Sequence, residues 1–410
     1  MNKRLAILFI LMTVVIDSMG IGLIMPVMPE LIQDLLGKVS LAEAAIWGGI
    51  LSASFAVMQF LCGPAVGNLS DRFGRKPVLL ASLFIVGIDY IIMGFTGSIW
   101  VLLIARIIAG VASATQATAN AYMADISDAK EKAANFGLVG AAFGLGFILG
   151  PLLGGLLSEF GPRAPFFAAA ALAGANFLFG LIILSETVTD RIRRALEWRR
   201  INPFGAFKEV RKLPLGAPLL FAFFMHSLAF FAYPAVWAYF TIERFGWTPF
   251  QVGISLAVFG IGLVIVQGFL IRRIIPVIGE WKALIIGLTV GIVADFLIGF
   301  SWEGWMIYAI IPLTSISFLT TPSLQGIMSR ATPDDAQGEL QGVLTSAGAV
   351  ATIIGPLLFT FLFSWFSATG AKIYFPGAPF IAAGLLDIFA LLVIFLIYKH
   401  VSREIASQKA

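Results

Sequence analysis

Asp17, Asp89, Arg106, Asp295 and Asp387 each stand inside a long apolar run. A charge at bilayer depth costs about 2.5–3.5 kcal/mol on insertion scales, so each of these residues needs a partner or a task. A carboxylate that meets a water-filled cavity can bind and release a proton, and a guanidinium nearby adjusts how readily it does so. Asp17 precedes Gly20 and Gly22, which allow close backbone approach. Arg106, Gly110, Ser113, Ala117 and Asn120 recur at three- and four-residue spacing and so share one helical face, small and polar with a permanent cation. Two readings of Arg106 stay open: the electrostatic partner of Asp17 or Asp89 in proton handling, or one half of an ion pair that only holds helices together. Asp89, followed by Tyr90, is a cavity acid or a structural one. Asp295 is a third candidate, and Asp387 reads as structural or as lying near the membrane boundary. The candidates for proton coupling are therefore Asp17, Asp89, Arg106 and Asp295.

Uncharged polar groups in apolar surroundings suit a pocket that orients a small molecule. Gln59, Gln116, Asn120, Gln267 and Gln325 fit that pattern, with Trp237, Tyr233 and Phe240 as an apolar wall. Each amide has a competing use in an interhelical hydrogen bond worth about 0.6 kcal/mol, and each aromatic in packing or interfacial anchoring. His226 and His400 stand isolated, no nucleophile and base share a spacing, and GxxxxGK[ST] is absent. Neither an enzyme nor ATP as energy source is expected. The glycine-rich GLGFILGPLLGG, Gly144 to Gly155, lies within an apolar run and reads as a closely packed, proline-perturbed helix rather than a phosphate cradle.

The elements that must carry these residues follow from composition. The chain of 410 residues is 59% hydrophobic and 12% charged, against about 45–50% and about 25% in soluble domains. Twelve apolar stretches are long enough to cross a hydrocarbon core of about 30 Å as helices. They fall at 5–33, 44–68, 77–97, 100–124, 134–158, 164–184, 214–240, 249–272, 281–301, 303–327, 338–365 and 374–398. The first is too long for a cleavable signal and carries Asp17. With both termini cytoplasmic, every Lys and Arg except Lys38, Arg106, Arg163, Arg244 and Lys372 falls on the cytoplasmic side, which satisfies the positive-inside rule. The single cysteine, Cys62, is a small packing residue.

An offset of half the chain aligns YMADISDAKEKAANFG (122–137) with IMSRATPDDAQGELQG (327–342), and the GPLL of 150–153 with that of 355–358. The expected architecture is an all-α membrane protein in two six-helix bundles, 1–184 and 214–410, joined by a basic cytoplasmic linker at 185–213.

Three ordered motifs now carry a family resemblance. Gly67, Asp71, Arg72, Gly74, Arg75 and Lys76 match the cytoplasmic signature between the second and third helices of the major facilitator superfamily. The run from Arg106 to Asp125 resembles its fourth-helix motif, and Gly144, Gly150, Pro151, Gly154 and Gly155 resemble the fifth-helix antiporter motif. DSMGIGLIMPVMP (17–29), Met58-Gln59, IDY around Asp89, APFF at Ala164 and ERFGW at Glu243 resemble the drug:proton antiporters of the tetracycline-efflux type. That subfamily places a His in the eighth span and an Asp midway along the ninth. Here Leu263 and Gly291 hold those places, and Asp295 stands one helical turn on.

The resemblance implies a proton-coupled efflux antiporter for an amphipathic, tetracycline-like drug, working by alternating access in a bacterial inner membrane. It implies no cofactor beyond protons as the coupling ion, with Mg²⁺ entering only as part of a chelated substrate. The partners are the small amphipathic substrate, protons and membrane lipid, with no nucleic acid and no obligate protein. Export of another drug or metabolite, and a non-transporting membrane receptor, are the alternatives. The family's pattern also makes Gly67, Asp71, Arg72, Gly74, Arg75 and Asp125 a cytoplasmic gate. Asp71 would rest against the start of the eleventh helix near Gly338, and Arg75 would pair with Asp125. The second half departs from it, with Pro276 in the place of Asp71 and Glu280 in that of Arg75.

Overall fold

Backbone groups in hydrocarbon must be satisfied within their own segment, so an apolar chain of this kind resolves into helices. A computed structural model describes residues 3–112, 115–128, 131–188, 216–333 and 336–409. It contains 12 helices long and apolar enough to cross a membrane. They are α1 (Arg4–Ile24), α2 (Leu41–Phe73), α3 (Arg75–Phe95), α4 (Ile99–Ile126), α5 (Asn135–Ser158), α6 (Ala164–Ile183), α7 (Ala217–Phe245), α8 (Pro249–Ile278), α9 (Glu280–Phe300), α10 (Gly304–Arg330), α11 (Gln337–Ser367) and α12 (Ala378–Tyr398). The chain divides into two compact units, Met1–Pro203 with Gly246–Gly260, and Phe204–Phe245 with Ile261–Ala410. Most of the linker expected at 185–213 lies outside the described residues.

Local chemistry sets several boundaries. The first stretch, expected to run unbroken over 5–33, stops at Ile24, turns through Met25–Val27 and restarts as a short helix at Met28–Leu35. Pro26 has no amide to continue the ladder and restricts the residue before it. Ser40 caps α2 by accepting the amide of Glu43 at 3.2 Å. The helix then passes Pro64 and ends at Gly74, whose φ of +115° no side-chain-bearing residue adopts cheaply. α7 is interrupted at Phe231 between segments Gly216–Phe230 and Ala232–Phe245. Pro234 there cannot donate to the Phe230 carbonyl. α8 carries one π-helical turn, Val266–Leu270.

In the first unit α1 packs along α5 at near-backbone distance. Gly146, Gly150 and Gly154, four residues apart, face Val15 to Ser18, Met19 and Leu23, while Gly22 faces Pro151. The other side of α5 takes the start of α8, with Gly253 on the Pro151 carbonyl and Gly155 on Phe250. The glycine motif is therefore the means of close approach on two faces. A core of Phe9, Ile10, Leu79, Leu83, Tyr122 and Met123 closes one part of this unit. Its counterpart in the second unit gathers Leu219, Phe223, Leu284, Leu324, Leu344 and Ile394.

A methyl at residue 150 would press into the Met19 carbonyl, whereas a methyl at residue 137 meets nothing within 4 Å. Gly150→Ala should consequently lower thermal stability in detergent by roughly 1–3 kcal/mol, and Gly137→Ala should leave it unchanged or raised. Equal melting of the two variants would mean that α1 and α5 are not held at backbone contact.

Candidate functional site

Two groups of polar side chains emerge in the first unit, one at membrane depth and one at the α2–α3 turn. At depth, Arg106 of α4 bonds Asp89 of α3 as an ion pair, with Nε also 3.3 Å from Oδ1. Asp89 is 2% exposed. The Arg106 guanidinium lies over the Phe55 ring, 5.5 Å from its centroid, where the ring quadrupole favours a cation. Of the two acids open to Arg106 in the sequence, the bonded one is Asp89. Asp17, half-buried on α1, interacts electrostatically with Tyr90, and the Tyr90 hydroxyl lies against Gly20. Tyr90 is thus flanked by the Asp17 carboxylate on one helix and is the chain neighbour of the Asp89–Arg106 pair. Asn120, on the same helix as Arg106, turns a buried Oδ1 inward with no hydrogen-bond partner. Gln59 is exposed, Gln325 is half-buried, and the Gln116 side chain lies outside the described residues.

At the turn, Arg75 is the hub. It bonds Asp71 at 2.5 Å, Asp125 at 3.3 Å and Ser70 Oγ at 3.2 Å. Thr187 donates to the same Asp125 oxygen at 2.9 Å. The amides of Arg75 and Lys76 donate to the two oxygens of Glu186, at 2.8 and 3.2 Å. A carboxylate placed there satisfies two of the unpaired amides that open α3 and meets its positive dipole end. Lys76 Nζ closes the assembly on the carbonyls of Leu181 and Leu184, which end α6. Arg72 is exposed and covers the ring of Phe73 at 5.3 Å, and Gly67 has open space around it. Glu186 was not among the sequence candidates. Its one signal was an acid just beyond the end of α6 on the same side as the basic loop.

The second-unit loop is less different from the first than its sequence suggests. Gly279, at φ +82°, takes the place of Gly74, and Glu280 bonds Arg330 at 2.9 Å. Glu280 and Arg330 stand half a chain beyond Arg75 and Asp125. Both halves therefore tie the start of one helix to the end of the next, with the charges exchanged.

At membrane depth the second unit departs most from expectation. His226 of α7 is not isolated: Nδ1 lies 3.0 Å from Asp387 Oδ1 on α12. Asp387 is not at a boundary, being 3% exposed and close enough to Asp295 to couple with it. Tyr233 donates to Asp295 Oδ1 at 2.6 Å. Trp237, expected on a pocket wall, is 2% exposed and stacks on Tyr233 at 5.9 Å with Phe380 edge-on. Gln267 is exposed in the π-helical turn of α8, a distortion that recurs at functional positions.

The family model described as Major Facilitator Superfamily matches residues 10–356 and 219–410. The chain is 40% identical to the tetracycline resistance protein, class C, of Escherichia coli, covering 94% of this chain and 98% of that one. It is 39% identical to the class E protein of the same organism, over 89% of each. Among solved structures, the human organic anion transporter MFSD10 (TETRAN) superposes with a TM-score of 0.69 at 25% identity, over 96% of this chain and 100% of that one.

Arg106→Ala would leave the buried Asp89 without its cation, a loss of about 3–5 kcal/mol when one partner of a buried pair is removed. The double variant Asp89→Asn with Arg106→Gln should recover most of that stability. Thermal unfolding in detergent distinguishes the two, and an Arg106→Ala protein as stable as the parent would show that the pair is not a structural constraint.

Proposed function

The chain belongs to the Major Facilitator Superfamily, and from that premise we propose that it exports an amphipathic drug of the tetracycline kind in exchange for protons, opening alternately to the two sides of the membrane. The observation that carries this reading is the 40% identity to a tetracycline resistance protein along nearly the whole of both chains. The protein is an integral membrane protein. The distribution of Lys and Arg supports a bacterial inner membrane with both termini in the cytoplasm.

In this reading the coupling ion is the proton, no cofactor takes part, and Mg²⁺ enters only as part of a chelated substrate. Asp17 carries a proton inward. Arg106 is tied to Asp89, and Tyr90, the next residue along α3, is the group that interacts with Asp17. Asn120, with its unpaired acceptor, is a contact for substrate polar groups. The partners are the small amphipathic substrate and membrane lipid; nucleic acid has no part. Leu263 and Gly291, standing where the resemblance expects a His and an Asp, favour a second reading in which the exported compound is another drug or metabolite.

Purified protein in liposomes tests both. Under an imposed proton gradient, tetracycline with Mg²⁺ should be moved against the gradient, and an ionophore should stop it. A panel of other amphipathic compounds reads out the second alternative, and transport indifferent to the ionophore removes proton coupling. Asp17→Asn keeps the shape of the side chain but cannot carry a proton. It should abolish gradient-driven export while leaving substrate binding, and undiminished export would take Asp17 out of the mechanism. Asp71→Asn removes one arm of the Arg75 hub. It should slow transport by about two- to tenfold, as a shift of up to about 1.4 kcal/mol in a conformational population allows, with substrate affinity unchanged. Normal turnover in that variant would show that the loop acid has no part in the cycle.

A further inference from the structure

The first unit's charges do not exhaust the titratable groups at membrane depth. His226, Tyr233, Asp295 and Asp387 meet in the second unit from three helices. His226 is 9% exposed, Asp295 4% and Asp387 3%. Two hydrogen bonds organise them, His226 Nδ1 to Asp387 Oδ1 at 3.0 Å and Tyr233 Oη to Asp295 Oδ1 at 2.6 Å. The acids reach one another because each lies over a glycine of the opposite helix. Asp387 Oδ2 is 3.8 Å from where a Cβ of Gly291 would stand, and the Asp295 Cβ is 3.5 Å from that of Gly384. The charges that reach Asp295 and Tyr233 are those of each other and of Asp387. Cations on the helices packed around them, Arg244, Lys282 and Arg330, stand in the first or last turn of their helices.

Counting charge, a protonated His226 balances one of the two carboxylates and leaves the other without a cation. One further proton makes the group neutral. Unbalanced charge at bilayer depth is the costly state, so the group has one proton's worth of reason to load and unload. It is no metal centre: among the described residues, no three His, Cys, Asp or Glu side chains are placed to hold an ion. The two bonds also sit on either side of the break at Phe231, His226 before it and Tyr233 after it. Bending α7 at that break would change the hydrogen bonding of both acids together.

We propose that His226, Tyr233, Asp295 and Asp387 form a second proton-carrying site, in which the two carboxylates take one proton from water and return it to water in each cycle. His226 and Tyr233 are the positioning residues, each fixing one carboxylate. The inference rests on the proton-coupled reading above, and its test is chosen to fail separately from that reading.

Infrared difference spectra between acid and alkaline pH, on whole protein carrying ¹³C-labelled aspartate carboxyls, need no substrate. A titrating aspartic acid carbonyl band is expected. It should be lost or shifted in Asp295→Asn and in Asp387→Asn, and should persist in Asp17→Asn. A band unchanged in both of the first two variants, or no titrating aspartate in the parent, overturns the proposal. Should either variant fail to fold, Tyr233→Phe and His226→Gln keep both acids and must still shift the band; an unshifted band counts against the site. In liposomes, Asp387→Asn should lower gradient-driven export by about tenfold or more while sparing substrate counterflow, and full gradient-driven export there also overturns it.

Discussion

Charge in a low-dielectric interior needs company, and the polar architecture of this chain follows from that constraint. Arg106 carries a guanidinium at depth, and among the described residues Asp89 and the ring of Phe55 answer it. That bond joins α3 to α4 and fixes Asp89 beside Tyr90. Tyr90 in turn occupies the notch left by Gly20 on α1, next to Asp17. The second unit meets the same constraint with an imidazole, whose charge is optional, in place of the permanent cation.

Close approach of backbones is the second condition, because a pair of acids or a phenol and an acid can meet only where helices nearly touch. Glycines supply it in both units. In the first they set α1 against α5 and α5 against the start of α8. In the second, Gly291 and Gly384 each make the space that the other helix's acid fills. Position 291 therefore keeps an acid in its vicinity, although the acid belongs to α12. The place left empty of charge by the residue type is reoccupied from another part of the chain.

The α2–α3 and α8–α9 turns, half a chain apart, keep a contact while changing its chemistry. Arg75 with Asp125 and Glu280 with Arg330 join equivalent positions with opposite polarity. Coulomb attraction is indifferent to which partner is positive, so exchange of both charges preserves it. The first turn is the richer because Glu186 caps α3 and Asp71 adds a second acid to Arg75, whereas Pro276 leaves the second turn without that arm.

What the sequence determined by itself is the set of apolar runs, their number and the glycines that permit contact, since hydrocarbon leaves a backbone few alternatives to a helix. It also located Asp17, Asp89, Arg106 and Asp295 as expensive groups in need of partners. It left the partners undecided. Arg106 had two acids available, and only the packing of α3 on α4 chose Asp89. His226 and Asp387 are 161 residues apart, and neither spacing nor periodicity relates them. Phe380 meets Trp237 edge-on from another helix, a contact that its place in the sequence does not announce. The physical reason is common to these cases: a helix's own residues fix which face is polar, but the residue that answers across the interface is set by the depth and rotation at which two helices meet, which is a property of the packed whole.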